Sequence, residues 1–428
     1  MKEQGSISFL SAVLMSINII VGVGIYFGPQ IMTTRAGSMS FLGWPLVALM
    51  LFPVIWGVAL AARMFPGGGS FYNYCTQGIN KTFGVIAIWA YLWGFIAVAA
   101  TQILAFRDIL VAQFPTPIWH EYSLLLNIGF VLTLALLNLV SVELISKIQS
   151  VVTIIKLLPM ILVIVILPFY WDSSYVFNFS DVKNLGFAIP AAIFGYSGFE
   201  SCSNISHMLK GGSQKAFGVI LTGFFVVVSL YALFHLGVLH IMGAAQLAAQ
   251  GVPAFTNFLG FESANVLWFM QRGLTVILLL SFANAVYGVT LSNITNFFNM
   301  AQEKLFPHPK KLTSVNHYNR PVYAIFIVAF ITFGFITFIP TTEILLAIST
   351  LGVLTAYTLT LLAVARVQAK QKDYFKMVLT SLGFGSCGAL GYFSWVSIEG
   401  SNMLRLCYAS PLLIGVAVGT FLYLNKKK

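Results

Sequence analysis

Charge is what this sequence has least of. Only 8% of its 428 residues are Asp, Glu, Lys or Arg, and 58% are hydrophobic, with a mean hydropathy of +0.89. A water-soluble domain carries about 25% charged residues, so the composition excludes one and implies an all-α polytopic membrane protein. Cysteine is also scarce. Cys75, Cys202, Cys387 and Cys407 show no CxxC spacing and fall in or near apolar runs, so they imply neither a disulfide framework nor a zinc site. The glycines of Phe65–Tyr74 (FPGGGSFYNY) are not followed by the Lys-Ser/Thr of a P-loop. That stretch reads as a tight, aromatic-rich inner loop at the membrane interface. His308 and His317 lie nine apart in a loop without ligand spacing, while His207, His235 and His240 are isolated and read as polar helix ends. No metal-ligand cluster and no nucleophile–base pair is visible, so neither an enzyme nor a cofactor is expected.

What fills the chain instead is apolar runs. Twelve of them are long enough to cross a bilayer, near 8–34, 41–63, 83–111, 122–142, 148–169, 185–209, 215–242, 265–300, 321–339, 342–366, 375–397 and 403–424. The net charge of +11 is explained by where the basic residues fall, without nucleic acid. With the N-terminus inside, the inner loops collect Lys2, Arg63, Lys81, Lys147, Lys210, Lys215, Lys304, Lys310, Lys311, Arg320 and Arg366. Lys370, Lys372, Lys376 and the tail Lys426–Lys428 join them, and the outer side keeps Arg35, Arg107, Lys183, Arg272 and Arg405. The positive-inside rule then puts both termini in the cytoplasm. The tail lysines fit lipid-headgroup contact. The first run is too long for a signal peptide and has no small-residue cleavage site.

Within the first run lies INIIVGVGIYFGP, Ile17–Pro29. Lipid offers no partners to free backbone groups, so a spanning segment should be regular helix. Gly22 and Gly24 nevertheless sit in its middle, each costing about 1 kcal/mol relative to Ala. Two readings are open. A helix unwound here would present amide N–H groups and the positive end of a half-helix at mid-membrane depth, an anion site for a carboxylate. Alternatively, the glycines let another helix pack closely.

Two further anomalies follow. Lys156 lies well inside an apolar helix, where a charge costs about 2.5–3.5 kcal/mol and must face protein or water. Buried, it is a candidate proton carrier; near a helix end, it could snorkel to the interface. The sixth run, GFAIPAAIFGYSGFESCSNISH, carries Pro190, Gly195 and Gly198 in its middle and then Glu200. Glu200 reads either as a functional carboxylate or as a hydrogen-bonded helix–helix contact. A weakened segment at the start of each half points to an inverted repeat. The two repeats would be 8–169 and 185–368, with 375–424 as two added helices. Asn293, Asn296 and Asn299 form a polar face at the end of the eighth run.

Five stretches together resemble the amino acid–polyamine–organocation superfamily of permeases: Gly22–Pro29, Phe65–Tyr74, the connection ending at Lys156, Phe194–Ser201 and Asn296–Pro307. They fall in that family's order and cover about residues 8–368. The resemblance implies a LeuT-like fold of two inverted five-helix repeats with discontinuous helices 1 and 6. It also implies alternating access to an amino-acid-like substrate. Carried over, the substrate carboxylate meets the backbone beside Gly22, at Val23, Gly24 and Ile25. The substrate amine meets carbonyls near Ile20, Phe194 and Ser197, with Phe194 as an outer gate. In similar proteins Glu200 serves coupling or holds helices together. Lys156 matches a lysine that replaces a sodium ion in some proton-coupled relatives, so the resemblance implies proton symport, with exchange as the alternative. Ser206–His207–Met208 and Asn296 depart from residues the family often has at the inner gate, and Val23 lacks a hydroxyl some relatives use. Tyr91, Trp93, Asn284 and Tyr287 are further pocket candidates. With only Glu200 as a carboxylate near mid-membrane, a neutral amino acid is expected. The expected setting is an inner or plasma membrane, with lipid and protons as the other partners. The rivals are a sensor with a permease fold, an intramembrane enzyme and a channel.

Overall fold

The computed structural model describes residues 8–65, 70–113, 121–140, 142–171, 177–200, 210, 215–306, 308–339, 341–398 and 400–425. Among them the chain is helical. In order come α1 (Phe9–Ile20), α2 (Val23–Ala36), α3 (Gly43–Met64), α4 (Phe71–Gly78), α5 (Lys81–Gln113), α6 (Ser123–Leu137) and α7 (Val142–Ile166). Then follow α8 (Ile189–Tyr196), α9 (Ala216–Met242), α10 (Ala244–Gln250), α11 (Ala264–Gln302), α12 (Val322–Phe338), α13 (Thr342–Gln371), α14 (Tyr374–Val396) and α15 (Asn402–Asn425).

Seven helical stretches among the described residues are long and apolar enough to cross a membrane, with shorter apolar helices at Phe9–Ile20, Ser123–Asn138 and Val322–Phe338. The protein's outer surface is correspondingly apolar. Phe169 and Phe338 are each 85% exposed, which a water-facing surface would not sustain over so many side chains. The only ion pairs among the described residues, Arg107–Asp108 and Lys376–Asp373, are at exposed positions.

α5 is the innermost helix and α7 and α15 are peripheral. α5 packs most extensively on α13 and also on α11, α4 and α15. Its crossing with α13 brings Gly94 against Gly352: a Cβ at Gly352 would lie 2.7 Å from the Gly94 Cα. Backbones approach this closely in membranes because dispersion and small residues, not a hydrophobic drive, hold helices together. Polar fasteners close the remaining gaps. Arg320, ahead of α12, donates to the Asn138 carbonyl (2.7 Å) and Oδ1 (3.1 Å) at the end of α6.

The aromatic stretch after α3 departs from the expected interfacial loop. Ser70 caps α4, accepting from the Asn73 amide at 3.2 Å, and Phe71, Tyr72 and Tyr74 are buried. Contact with α5 and α13 draws the aromatic face inward, where Phe71 lies 4.6 Å from the Tyr91 ring and 5.7 Å from that of Tyr357.

Candidate functional site: two interrupted helices and their plugs

The first apolar run is interrupted between Ile20 and Val23. Val21 ends α1 in an extended conformation, and Gly22 opens α2 with φ −141° and ψ −140°. The break leaves carbonyls at the C-terminal, negative end of α1 and amides at the N-terminal, positive end of α2. Side chains from two other helices answer the carbonyl end, and a third helix reaches the Asn18 side chain beside it. The Lys156 ammonium on α7 donates to the Val21 carbonyl at 2.5 Å and the Asn18 carbonyl at 2.7 Å. The Tyr231 hydroxyl on α9 donates to the Ile20 carbonyl at 2.9 Å. Asn18 Oδ1 accepts from Thr153 on α7 at 2.5 Å and from Asn284 on α11 at 3.2 Å. The Tyr26 hydroxyl on α2 donates back to the Lys156 carbonyl. Lys156 is fully buried, so it does not snorkel. Among the described residues no carboxylate pairs with it; carbonyl dipoles alone hold the charge.

The amide end of α2 is different. Gly22 offers no side-chain cap to the first turn, Val23–Ile25, because glycine has no side chain to give. Around it, a Cβ at Gly22 would meet the Ala285 methyl on α11 at 2.9 Å and Gln102 Nε2 on α5 at 3.7 Å. Gln102 Oε1 and the hydroxyl of Ser281, one turn before Ala285, are buried with no hydrogen-bond partner among the described residues. At Gly24 the neighbour is α8. A Cβ there would lie 2.6 Å from the Gly195 Cα and 3.6 Å from the Phe194 ring. Gly22 and Gly24 thus do two jobs at once: they sit where the helix breaks, and they admit α11 and α8 to close contact.

The second interruption follows α8. Ser197 leaves helical geometry, and its amide donates to the Phe194 carbonyl at 3.1 Å while its hydroxyl donates to the Ile193 carbonyl at 3.3 Å. Gly198 takes φ +109°, a region that favours glycine, and its own Cβ position is 2.9 Å from Ile19 of α1. Its amide donates to Glu200 Oε2 at 3.1 Å. The Glu200 carboxylate, 1% exposed, also accepts from Tyr91 of α5 and Tyr357 of α13, each at 2.9 Å. Residues 201–209, including the His207 departure, lie outside the described residues.

Ile20, Gly22, Gly24, Lys156, Phe194, Ser197 and Glu200 therefore fall in one region, around the meeting of α1, α2, α7 and α8. Ile25 is buried beside them, and Val23 opens α2. The other candidates separate. Asn284 joins the Asn18 cluster and Tyr91 the Glu200 cluster. The Tyr287 hydroxyl is buried with no partner among the described residues. Trp93 turns the other way, stacking on Phe335 at 5.6 Å against α15. Asn293 donates to the Phe95 carbonyl at 3.0 Å and Asn296 is buried, while Asn299 is exposed.

Asn18, Gln102 and Tyr231 were missed by sequence reasoning, although each is a polar group within an apolar run, the same signal that singled out Lys156, and His235 was read as a polar helix end. His235 is no helix end. It is fully buried, accepts at Nδ1 from the Trp44 indole (3.0 Å), and faces Thr33 (3.1 Å) and Ser40 (3.2 Å) at Nε2. The accepting Nδ1 leaves the proton on Nε2 of a neutral ring.

Residues 7–418 match the family described as amino acid permease. The chain belongs to that family, within the amino acid–polyamine–organocation superfamily. Among its relatives, the serine/threonine exchanger SteT of Bacillus subtilis is 24% identical over 322 residues, covering 72% of this chain and 71% of SteT. Amino acid transporter 1 of Schizosaccharomyces pombe is 24% identical over 363 residues, which take in 76% of this chain but only 58% of the relative. This permease is a multi-pass membrane protein of amino acid transport, and its family and relatives are transporters, not enzymes.

Proposed function

We infer that the permease is a secondary transporter of neutral amino acids that works by alternating access and couples uptake to protons. The uncapped amide end of α2, set back to back with the Lys156-plugged end of α1, carries this reading. A carboxylate at the amides of Val23, Gly24 and Ile25 would complete their hydrogen bonding and meet the helix dipole. The buried Gln102 and Ser281 groups beside Gly22 supply further polar contacts. The carbonyls of Ile20, Phe194 and Ser197 would receive the substrate amine. Those of Ile20 and Phe194 already accept one bond each, which leaves each a second lone pair.

Coupling is assigned to Lys156. An ammonium held by carbonyl dipoles alone stands where a cation would tie α7 to the broken helix, and it can give up a proton where a metal ion cannot. Glu200 is read as a fastening of α8 to α5 and α13 that supports the same site. The wider architecture proposed is twelve spans in a LeuT-like arrangement, with repeats at 8–169 and 185–368 and two further helices at 375–424. Both termini are placed on the cytoplasmic side of an inner or plasma membrane. Substrate would shift the two facing conformations by its different contacts in each.

A second reading, amino acid exchange, is favoured by the similarity to SteT, a serine/threonine exchanger. Uptake of a labelled neutral amino acid mixture into proteoliposomes separates the two. Accumulation driven by an inward proton gradient, and lost in Lys156→Ala, is the expected result. Uptake that requires internal amino acid and ignores the gradient overturns proton coupling in favour of exchange. Competition only by arginine, lysine or polyamines would sink the neutral preference. Binding without uptake under either condition would favour a sensor.

A further inference from the structure

A crevice of about 660 Å³ opens on the flank of the protein between α5, the end of α11, α12 and α15, and none of its lining residues belongs to the two interruptions or to the side chains that plug them. Its walls are apolar. Trp89 and Trp93 of α5 form the back, Ile327 and Ile331 of α12 one side, and Ile414 and Val418 of α15 the other. Phe306 closes the floor, 5.2 Å from the Trp89 ring and 4.4 Å from Phe297. α15 is seated so tightly behind this space that a Cβ at Gly415 or Gly419 would overlap the Trp93 or Trp89 indole, at 2.0 and 2.2 Å. The aromatic back wall is therefore fixed.

Two observations say what covers it. The lining along α15 runs from Ser410 to Leu422, about 18 Å of helix at 1.5 Å per residue. That is on the scale of the hydrocarbon depth of one leaflet, about 15 Å. At the end of the crevice where α15 finishes, the short helical turn Pro309–Leu312 carries exposed Lys310 and Lys311, with exposed His308 before it. Lys311 and His308 line the rim, and among the described residues no carboxylate lines the crevice. A leaflet-deep apolar slot with a basic mouth is complementary to a lipid with an anionic head.

We propose that this crevice binds one anionic phospholipid, with an acyl chain against Trp89 and Trp93 and its phosphate at Lys311 and Lys310. The assignment does not depend on the transport reading. The leaflet follows the orientation proposed above, in which the basic mouth faces the cytoplasm and its anionic lipids.

The test uses the purified full chain in detergent micelles, titrated with dioleoylphosphatidylglycerol or dioleoylphosphatidylcholine and read by native mass spectrometry. Orientation and transport play no part in it. One phosphatidylglycerol should bind at about 25-fold lower concentration than phosphatidylcholine, about fivefold for each lysine. The preference should disappear in Lys310→Gln/Lys311→Gln, both exposed positions where folding is not at stake. Brominated phosphatidylglycerol should quench the wild-type tryptophan emission, and most of that quenching should be lost in Trp89→Phe/Trp93→Phe. Equal binding of the two lipids, a preference that survives the double lysine variant, or quenching unchanged without the two tryptophans would each overturn the proposal. So would a dimer of the chain that excludes lipid from the crevice.

Discussion

The two interruptions differ in what fills them. At the first, the carbonyls of Asn18, Ile20 and Val21 are taken by Lys156 and Tyr231, side chains remote in sequence and carried by α7 and α9. At the second, the Gly198 amide is taken by Glu200, two residues along the same chain, and the carboxylate is then held by Tyr91 and Tyr357. A positive plug from a separate helix can be withdrawn by moving that helix or by losing a proton. A negative plug belonging to its own turn travels with the turn. The first arrangement is built as a contact that can change, and the second as a fastening.

The largest effect should come from forcing the two interrupted segments apart. Gly24→Ala places a methyl 2.6 Å from the Gly195 Cα, and backbone cannot turn aside as a side chain can. Overpacking costs about 1–3 kcal/mol where side chains can give, so here uptake should be abolished and the yield of folded protein should fall. Gly22→Ala meets the Ala285 methyl at 2.9 Å and Gln102 Nε2 at 3.7 Å, side chains and not backbone, and should be milder. Equal folded yields and uptake for the two variants, compared by gel filtration and transport assay, would break the claim that Gly24 marks the crossing.

Next comes withdrawal of the positive plug. Lys156→Ala leaves the Asn18 and Val21 carbonyls without their donor, at about 1–3 kcal/mol for each unsatisfied group. Proton-driven accumulation should vanish, while substrate binding by the folded fraction persists. Accumulation at wild-type levels would make Lys156 a structural tie and no more. Glu200→Gln is gentler, because the amide oxygen can still accept from Tyr357 and the Gly198 amide while its NH2 donates to a Tyr91 hydroxyl turned to accept. It should lower uptake by no more than about tenfold, the scale of one hydrogen bond at about 0.5–1.5 kcal/mol, and leave the response to the proton gradient intact. Loss of that response in Glu200→Gln would exchange the roles given to the two plugs.

Much of this region could be read before any coordinates. Gly22, Gly24 and Lys156 stand out because each violates the rule of an apolar, regular span. What periodicity could not supply is which surface each anomaly meets. Gly24 is opposed by Gly195 from another segment, and that pairing exists only once α2 and α8 cross. Asn18 looks unremarkable until Lys156, Thr153 and Asn284 converge on it from two helices. Trp93 shows the opposite failure. An aromatic in the third apolar run suggests a pocket, yet the glycine at 415 on α15 turns its ring to the flank.

The smallest effect should come from a charge outside the membrane altogether, which sharpens the comparison by showing what an exposed plug contributes. Asp373 caps α14, accepting from the Lys376 amide at 3.4 Å and from its ammonium. The Lys376 hydrogen bond holds the Asp373 carboxyl below its ordinary 3.8. A carboxylate lowered on folding stabilises the folded state above its unfolded value, and the contribution is lost as pH falls through the folded value. The window is therefore acidic, below about pH 4. In an exposed pair the effect is screened by water and salt, so Asp373→Asn should leave uptake at pH 7 unchanged. Amide exchange in the first turn of α14 should be faster in the variant at pH 6, with the difference from wild type closing as the pH drops towards 3. A difference that persists undiminished at pH 3 would mean the cap acts through its shape and not its charge. The same pair of measurements on Glu200→Gln, where no water reaches the carboxylate, would then give the worth of a negative plug with and without solvent around it.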